Sequence, residues 1–320
     1  MINAFHIGNR IRYLLNKRKK LVLFTHHKCA STWLTSIVAD ICRDNNLKYI
    51  AIPWGRQCPE SGYTMEMAFN SGNDVIVALN ADYSGINNHI SANMQCMHVI
   101  RNPMSVVVSA YYSHLRTHPI DGWDFLARQR NVLSEVDKDV GMALTLSFLE
   151  SSHFQPETNG PLYDMSAWKY DDSRIITLRM EDITANAANF FREMSRTEAL
   201  RTASMPDPDR YSFAAMTGRQ QGVIDLSSHY RCGSSTEWRD ALPRGVILYV
   251  IHHYREFLLR FYPEVIFEAG SLSDASVRSN SDRLRGEVAG WRSIGGCTRL
   301  PCTRQNETNA PKSRHSCAET

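Results

Sequence analysis

A short apolar segment near the start of the chain constrains the fold more than any other feature. Residues 21–25 form a continuous apolar run bounded by polar residues, which is typical of a strand buried on both faces. After a loop over residues 26–30, apolar side chains recur with helical spacing from Trp33 to Ile41. The chain therefore opens with a strand, a loop and a helix.

The same alternation continues along the chain. It predicts an α/β fold, with a parallel β-sheet flanked by helices. A chain of 320 residues is long enough for one large domain of this class with additions. Predicted strands cover residues 48–52, 74–79, 97–101 and 174–179, and predicted helices cover residues 103–116, 123–133, 142–151 and 246–261.

The domain organisation follows from where the apolar pattern begins and ends. We expect a basic lead-in over residues 1–20, a folded domain over residues 21–265, and a polar, poorly ordered tail over residues 271–320. The net charge of +3 arises in the tail, which holds eight Lys and Arg against five Asp and Glu. The rest of the chain therefore offers no domain-wide basic surface for nucleic acid.

The cellular environment is predicted from what the chain lacks. The first 20 residues contain no apolar stretch typical of a secretory signal, and no segment is apolar for the roughly 18 residues of a membrane span. The eight cysteines form no CxxC pair, so zinc spacing is absent. We therefore expect a cytoplasmic protein with reduced thiols.

The loop after the first strand has the chemistry of an anion site. Backbone N–H groups and the positive end of a helix bind anions at a strand-to-helix junction. Lys28 adds a point charge here, and Ser31 and Thr32 add hydroxyl donors. The glycines of a Walker A loop are missing, which weakens an ATPase or ordinary kinase interpretation.

Two later segments carry similar chemistry. A predicted strand ends at Arg101, Asn102-Pro103 opens a helix, and Ser109 follows Arg101 by eight residues. A forked guanidinium and a hydroxyl suit a phosphate group. Further along, residues 228–239 contain Arg231 and Gly233, which provide charge and close backbone approach.

These three segments, in this order, resemble the motifs of sulfotransferases that use 3′-phosphoadenosine 5′-phosphosulfate (PAPS). The resemblance covers roughly residues 20–263 and implies a P-loop-NTPase-like three-layer sandwich, with PAPS as co-substrate, its release as 3′,5′-bisphosphoadenosine, and no metal. It departs from the family at His27, Cys29, Ala30, Met180 and Cys232, where Pro, Ser, Gly, Tyr and Lys are usual. It implies donor binding by Lys28, Ser31, Thr32 and Trp33 at the 5′-phosphosulfate, by Arg101 and Ser109 at the 3′-phosphate, and by Arg231 and Gly233 in the closing loop.

The sequence offers more than one candidate for the catalytic base. In-line sulfuryl transfer needs neutralisation of the leaving phosphate, for which Lys28 is the candidate, and a group that accepts the acceptor's proton. The family's usual His has no counterpart after the strand over residues 74–79. We place Asp82 and His27 first, because each should lie near the carboxyl edge of the sheet, and His89 and Glu60 behind them.

The acceptor cannot be derived from these motifs. A small-molecule or glycan acceptor is expected, with a preference for a carbohydrate or glycolipid hydroxyl. The family's dimer segment has no evident counterpart at residues 239–245, so no oligomeric state follows. Three other classes stay open: a P-loop-type nucleotide kinase, a non-catalytic nucleotide-binding protein, and an interaction protein whose basic tail binds an acidic partner.

Overall fold

A computed structural model describes residues 19–53, 57–58, 63–154 and 159–268. The tail over residues 271–320 and all but the last two residues of the basic lead-in lie outside the described residues. Glu60, a looser candidate for the base, also lies outside them. No helix within the described ranges is long and apolar enough to cross a lipid bilayer.

A five-stranded sheet forms the centre of the molecule. All of its strands are parallel, in the order β2-β5-β1-β6-β7, which confirms the predicted α/β class. A separate antiparallel pair is formed by β3 and β4. The strands are β1 (Lys20–Thr25), β2 (Tyr49–Ile52), β3 (Gln57–Cys58), β4 (Tyr63–Thr64), β5 (Val75–Leu79), β6 (Met94–Ile100) and β7 (Ile175–Arg179).

Helices connect and cover these strands. They are α1 (Ser31–Asp44), α2 (Met65–Asn70), α3 (Tyr83–Ile86), α4 (Pro103–Tyr112), α5 (Asp124–Glu135), α6 (Lys138–Leu149), α7 (Pro161–Ser166), α8 (Met180–Ala185), α9 (Ala187–Ser195), α10 (Phe213–Thr217), α11 (Trp238–Ala241), α12 (Arg244–His253), α13 (Arg255–Phe261) and α14 (Pro263–Glu268). Short 3₁₀ turns occur at Asn87–His89 and Pro208–Tyr211, and a π-helical turn at Ser113–Thr117.

Alternate residues of the central strands pack against opposite layers. Leu23 and Val77 belong to an apolar cluster with α1 and α9, whereas Phe24 and Ile76 belong to another with α2. Strand side chains alternate between the two faces of a sheet. The sheet is therefore covered on both faces, which gives three layers and explains why its strands are continuous apolar runs.

Two predicted helices are divided in the structure, and the helix predicted over residues 142–151 is observed as α6 (Lys138–Leu149). The predicted helix over residues 246–261 is divided into α12 and α13 at Tyr254, whose backbone leaves helical geometry at φ −107° and ψ 24°. The hydroxyl of Tyr254 bonds the carboxylate of Glu150. The predicted helix over residues 103–116 ends as α4 at Tyr112 and continues as the π-helical turn.

Candidate functional site

One cavity lies at the carboxyl ends of β1 and β6, where ligands bind in open parallel sheets. The three segments singled out in the sequence meet there, although more than 200 residues separate Lys28 from Gly233. The following residues predicted to bind donor or act in catalysis line it: His27, Lys28, Ser31, Thr32, Trp33, Arg101, Ser109, Arg231 and Gly233.

The loop between β1 and α1 has an unusual backbone. Lys28 and Ala30 both adopt left-handed conformations at φ 63°, and Ala30 is the N-cap of α1. The hydroxyl of Thr25 donates to the carbonyl of Cys29 at 2.7 Å and holds the turn closed. A left-handed conformation costs an L-residue roughly 1–2 kcal/mol, so the geometry gives a physical reason why glycine suits position 30.

Three cations converge on this loop. The Nη1 of Arg101 donates to the carbonyl oxygen of Lys28 at 2.7 Å. Burial, followed by the positive charges of Arg101 and Arg231, lowers the pKa of Lys28 to about 7. Like charges held this close in a partly desolvated cavity favour a polyanionic ligand.

The segment over residues 228–239, called the late loop below, is held in place around Arg231. Its guanidinium lies 4.1 Å from the centre of the Tyr112 ring and forms an ion pair with Glu237. Gly233 has φ 71°, and a Cβ at this position would lie 2.5 Å from the Phe213 ring. Only glycine therefore fits here without moving Phe213, which also lines the cavity.

The two carboxylates that line the cavity are already engaged. Glu237 pairs with Arg231. Glu181 accepts from the backbone N–H of Asn102 at 3.0 Å and from the hydroxyl of Tyr262 at 2.9 Å. Both carboxylates therefore already have partners within the protein.

His118 is a functional candidate that the sequence reasoning missed. It lines the same cavity as Lys28, just beyond the π-helical turn, a feature often found at functional sites. Its Nδ1 lies 2.9 Å from the carbonyl oxygen of Pro119. A carbonyl only accepts, so Nδ1 carries the proton and Nε2 is a lone-pair acceptor. Burial lowers the pKa of His118.

Arg130 holds the backbone that carries this imidazole. Its side chain donates to the carbonyl oxygens of His114, at 2.6 Å, and of His118, at 2.5 Å. Two bonds from one guanidinium fix the turn in a single arrangement. Histidines four residues apart, directly after the Arg-Asn-Pro helix, were the sequence signal that could have pointed to this site.

The predicted candidates for the base have other partners. The Nε2 of His27 lies 2.8 Å from the Nε2 of His114, and burial lowers the pKa of His27 well below its usual value. Asp82 is not among the residues that line the cavity. Its Oδ1 accepts from the backbone of Gly85 at 2.7 Å and caps α3.

His229 is a second cavity residue that the sequence reasoning missed. Its Nε2 lies 3.1 Å from the hydroxyl of Thr32, and burial lowers its pKa to about 4, with Lys28 acting in the same direction. His229 therefore links the late loop to the start of α1 as a neutral group. Within the described ranges, no three His, Cys, Asp or Glu side chains are grouped so as to hold a metal ion.

Comparisons with known proteins give matches among solved structures but none by sequence. No protein-family model and no curated protein sequence matches the chain. Among solved structures, the chain is similar to mouse sulfotransferase SULT7A1 complexed with PAP, at 12% sequence identity. The match covers 84% of this chain and 90% of that chain, with a TM-score of 0.48.

Proposed function

We propose that the protein is a sulfotransferase that uses PAPS as its sulfuryl donor. The observation that carries this proposal is the convergence of Lys28, Arg101 and Arg231 in one cavity. These cations come from three distant segments and meet at the carboxyl edge of a parallel sheet. A nucleotide with two separate phosphate groups matches this arrangement better than a single phosphate does.

Each donor-binding residue has a role in the proposed complex. Lys28, Ser31 and Thr32 bind the 5′-phosphosulfate beside the N-terminus of α1. Arg101 and Ser109 bind the 3′-phosphate. Trp33 forms part of the wall, and its indole N–H donates to the carbonyl of Tyr211 at 2.9 Å. Arg231 and Gly233 close the late loop over the nucleotide.

The reaction is an in-line displacement at sulfur. The acceptor oxygen forms a bond to sulfur while the bond between sulfur and the bridging phosphate oxygen breaks. Lys28 neutralises the negative charge that the departing 5′-phosphate gains. The acceptor's proton passes to the Nε2 of His118. We assign the base to His118 in place of His27, which is bonded to His114, and of Asp82, which caps α3 away from the cavity lining.

The donor site is tested by ligand-dependent thermal stability. The protein should be stabilised by 3′,5′-bisphosphoadenosine by about 2.7 kcal/mol at 100 times the dissociation constant. AMP and ATP with Mg²⁺ should stabilise less, and Arg101→Ala should lose the response. Equal stabilisation by ATP with Mg²⁺ would favour a nucleotide kinase instead. No stabilisation by the bisphosphate would overturn the proposal.

The base is tested separately by turnover. His118→Gln should lower kcat by about 10²–10⁴-fold and remove the acidic limb of the pH–rate profile, while bisphosphate binding persists. The exposed His252 provides a matched control, since His252→Gln should keep both the rate and the profile. An unchanged rate in His118→Gln would place the base elsewhere, with His229 the next residue to replace.

A further inference from the structure

One face of α4 borders the cavity along the length of the helix. Ser105, Ser109 and Tyr112 are separated by four and then three residues, so their side chains lie in a row on one face of the helix. All three residues line the cavity. Ser109, in the middle of this row, is the residue proposed to bind the 3′-phosphate, so groups that contact its two neighbours lie close to that phosphate.

The late loop contacts this row on both sides of Ser109. The hydroxyl of Ser105 donates to the carbonyl oxygen of Ser235 at 3.2 Å. The guanidinium of Arg231 lies over the ring of Tyr112, 4.1 Å from the ring centre. A cation over an aromatic face is attracted by the electron density of the ring, most strongly where water is excluded. The two contacts bring Arg231 to the last turn of α4, which carries Ser109.

Arg231 keeps one donor for a ligand. Its side chain is only 11% exposed, and its Nη2 is bonded to the carboxylate of Glu237. Its Nη1 is buried and has no hydrogen-bond acceptor among the described residues. A buried donor without an acceptor lowers the free energy of unfolding. An acceptor is therefore expected to arrive with the ligand, and a phosphate oxygen is a strong acceptor for a guanidinium.

The backbone around Arg231 does not by itself set the direction of the guanidinium. Arg219 donates to the carbonyl oxygens of Tyr230, at 2.5 Å, and of Arg231, at 3.0 Å. These bonds hold the main chain, but several rotatable bonds separate it from the guanidinium. The ring of Tyr112 and the carboxylate of Glu237 are the contacts that confine the guanidinium itself.

We propose that Tyr112 is a positioning residue of the donor site, which holds the guanidinium of Arg231 so that its Nη1 faces a 3′-phosphate bound at Ser109. This inference rests on the proposed function and gives a role to a residue outside the donor motifs. Tyr112 acts through Arg231 and takes no part in making or breaking bonds. Because the guanidinium is already oriented, little conformational entropy is lost when the phosphate binds.

The test compares two nucleotides that differ only in the 3′-phosphate. Affinities for 3′,5′-bisphosphoadenosine and for AMP are measured by titration calorimetry, and their ratio reports the contribution of the 3′-phosphate. Tyr112→Leu should lower this ratio by about ten-fold, as expected for the loss of a desolvated cation–π contact, while the affinity for AMP stays the same. Tyr112→Phe keeps the ring face and should keep the ratio. An unchanged ratio in Tyr112→Leu overturns the inference.

A double substitution shows whether Tyr112 acts through Arg231 or contacts the nucleotide itself. Arg231→Met removes the guanidinium and should lower the ratio at least as much as Tyr112→Leu does. If Tyr112 only positions Arg231, the variant with both substitutions should have the ratio of Arg231→Met alone. Two effects that multiply would overturn the positioning role, because Tyr112 would then contact the nucleotide independently.

Phe125 provides a matched control for the loss of an aromatic ring beside an arginine. The guanidinium of Arg128 lies 5.8 Å from the centre of the Phe125 ring, and neither residue is among the described residues that line the cavity. Phe125→Leu should therefore keep the ratio, and an equal fall in Phe125→Leu and Tyr112→Leu would overturn the inference. Should circular dichroism show that Tyr112→Leu is unfolded, Tyr112→Met, which also lacks a ring, carries the same expectation.

Failure of this inference is distinguishable from failure of the proposed function. The unsubstituted protein is measured first, and it should bind 3′,5′-bisphosphoadenosine more tightly than AMP. If it does, and Tyr112→Leu keeps the full preference, the donor site stands and the role of Tyr112 is overturned. If the unsubstituted protein binds neither nucleotide, or binds both equally, the sulfotransferase proposal itself is overturned.

Discussion

The guanidinium of Arg101 donates a hydrogen bond to the backbone carbonyl oxygen of Lys28, at 2.7 Å. This bond joins the end of β6 to the loop after β1, so Arg101 fixes the shape of the loop before any ligand binds. The residue proposed to bind the 3′-phosphate thus also positions the residue proposed to neutralise the 5′-phosphate.

Arg101→Ala should therefore lower stability as well as ligand binding. Loss of this charged hydrogen bond should reduce the free energy of unfolding by about 1–2 kcal/mol, measured by urea denaturation without ligand. Arg201 is exposed, and Arg201→Ala should change the free energy of unfolding by less than about 0.5 kcal/mol. Equal effects of the two substitutions would show that the bond to Lys28 contributes nothing.

Because the pKa of Lys28 is lowered, we expect the affinity for nucleotide to depend on pH. Burial, with Arg101 and Arg231, lowers this pKa to about 7, so the free protein loses the Lys28 charge as pH rises above 7. A bound phosphate favours the charged form and must then restore the proton. Affinity for 3′,5′-bisphosphoadenosine should fall by roughly ten-fold from pH 7 to 8.5, with proton uptake in calorimetry.

Lys28→Arg provides the control for this pH dependence. An arginine keeps its charge throughout this pH range, so affinity in Lys28→Arg should change little from pH 7 to 8.5. Proton uptake should disappear with it. A wild-type affinity that is constant over the same range would contradict the lowered pKa.

Two buried histidine pairs predict sensitivity to acid. His26 and His98 lie with their Nε2 atoms 2.7 Å apart, and His27 and His114 at 2.8 Å. Burial lowers the pKa of His26 to about 3 and those of the other three well below 6.5. Below pH 6.5 these histidines become protonated in the unfolded chain but stay neutral in the folded protein. The free energy of unfolding therefore falls as the pH falls.

The size of this loss in the free energy of unfolding depends on how many buried histidines stay neutral. Each buried neutral histidine contributes a loss of up to about 1.4 kcal/mol per pH unit below 6.5. Urea denaturation at pH 7, 6 and 5 should show a decline in the free energy of unfolding. In His98→Gln this decline should be smaller by about the contribution of one histidine. His252→Gln, at an exposed position, should leave the decline unchanged. A stability that is flat between pH 7 and 5 would contradict the neutral pairs.

Gly233 and Gly218 form a matched pair for the late loop. Both have left-handed backbones, at φ 71° and 69°, but a Cβ at Gly233 would lie 2.5 Å from the Phe213 ring, whereas one at Gly218 meets nothing within 4 Å. Both alanine variants should lose about 1 kcal/mol of stability from the backbone alone. Gly233→Ala should also displace Phe213 and weaken bisphosphate binding several-fold, which titration calorimetry measures. If the two variants bind 3′,5′-bisphosphoadenosine with equal affinity, the late loop does not take part in binding it.

The sequence determined the parts of this protein that depend on local pattern. Runs of mainly apolar residues predicted β1, β2, β5 and β7 to within one residue at either end. For β1 and β5, which lie inside the sheet, burial on both faces leaves little freedom in composition. The resemblance of the segments that carry Lys28, Arg101 and Arg231 to sulfotransferase motifs also predicted that they share one donor site.

The tertiary structure decided what depends on neighbours that are distant in sequence. The π-helical turn placed His118 in the cavity, the Pro119 carbonyl set its tautomer, and burial lowered the pKa of Lys28. Asp82 and His27 looked equally suitable in the sequence, but one caps α3 and the other pairs with His114. A side chain's type is written in the sequence, whereas its protonation, partners and access to a ligand are set by desolvation and contacts that arise only once the strands have paired.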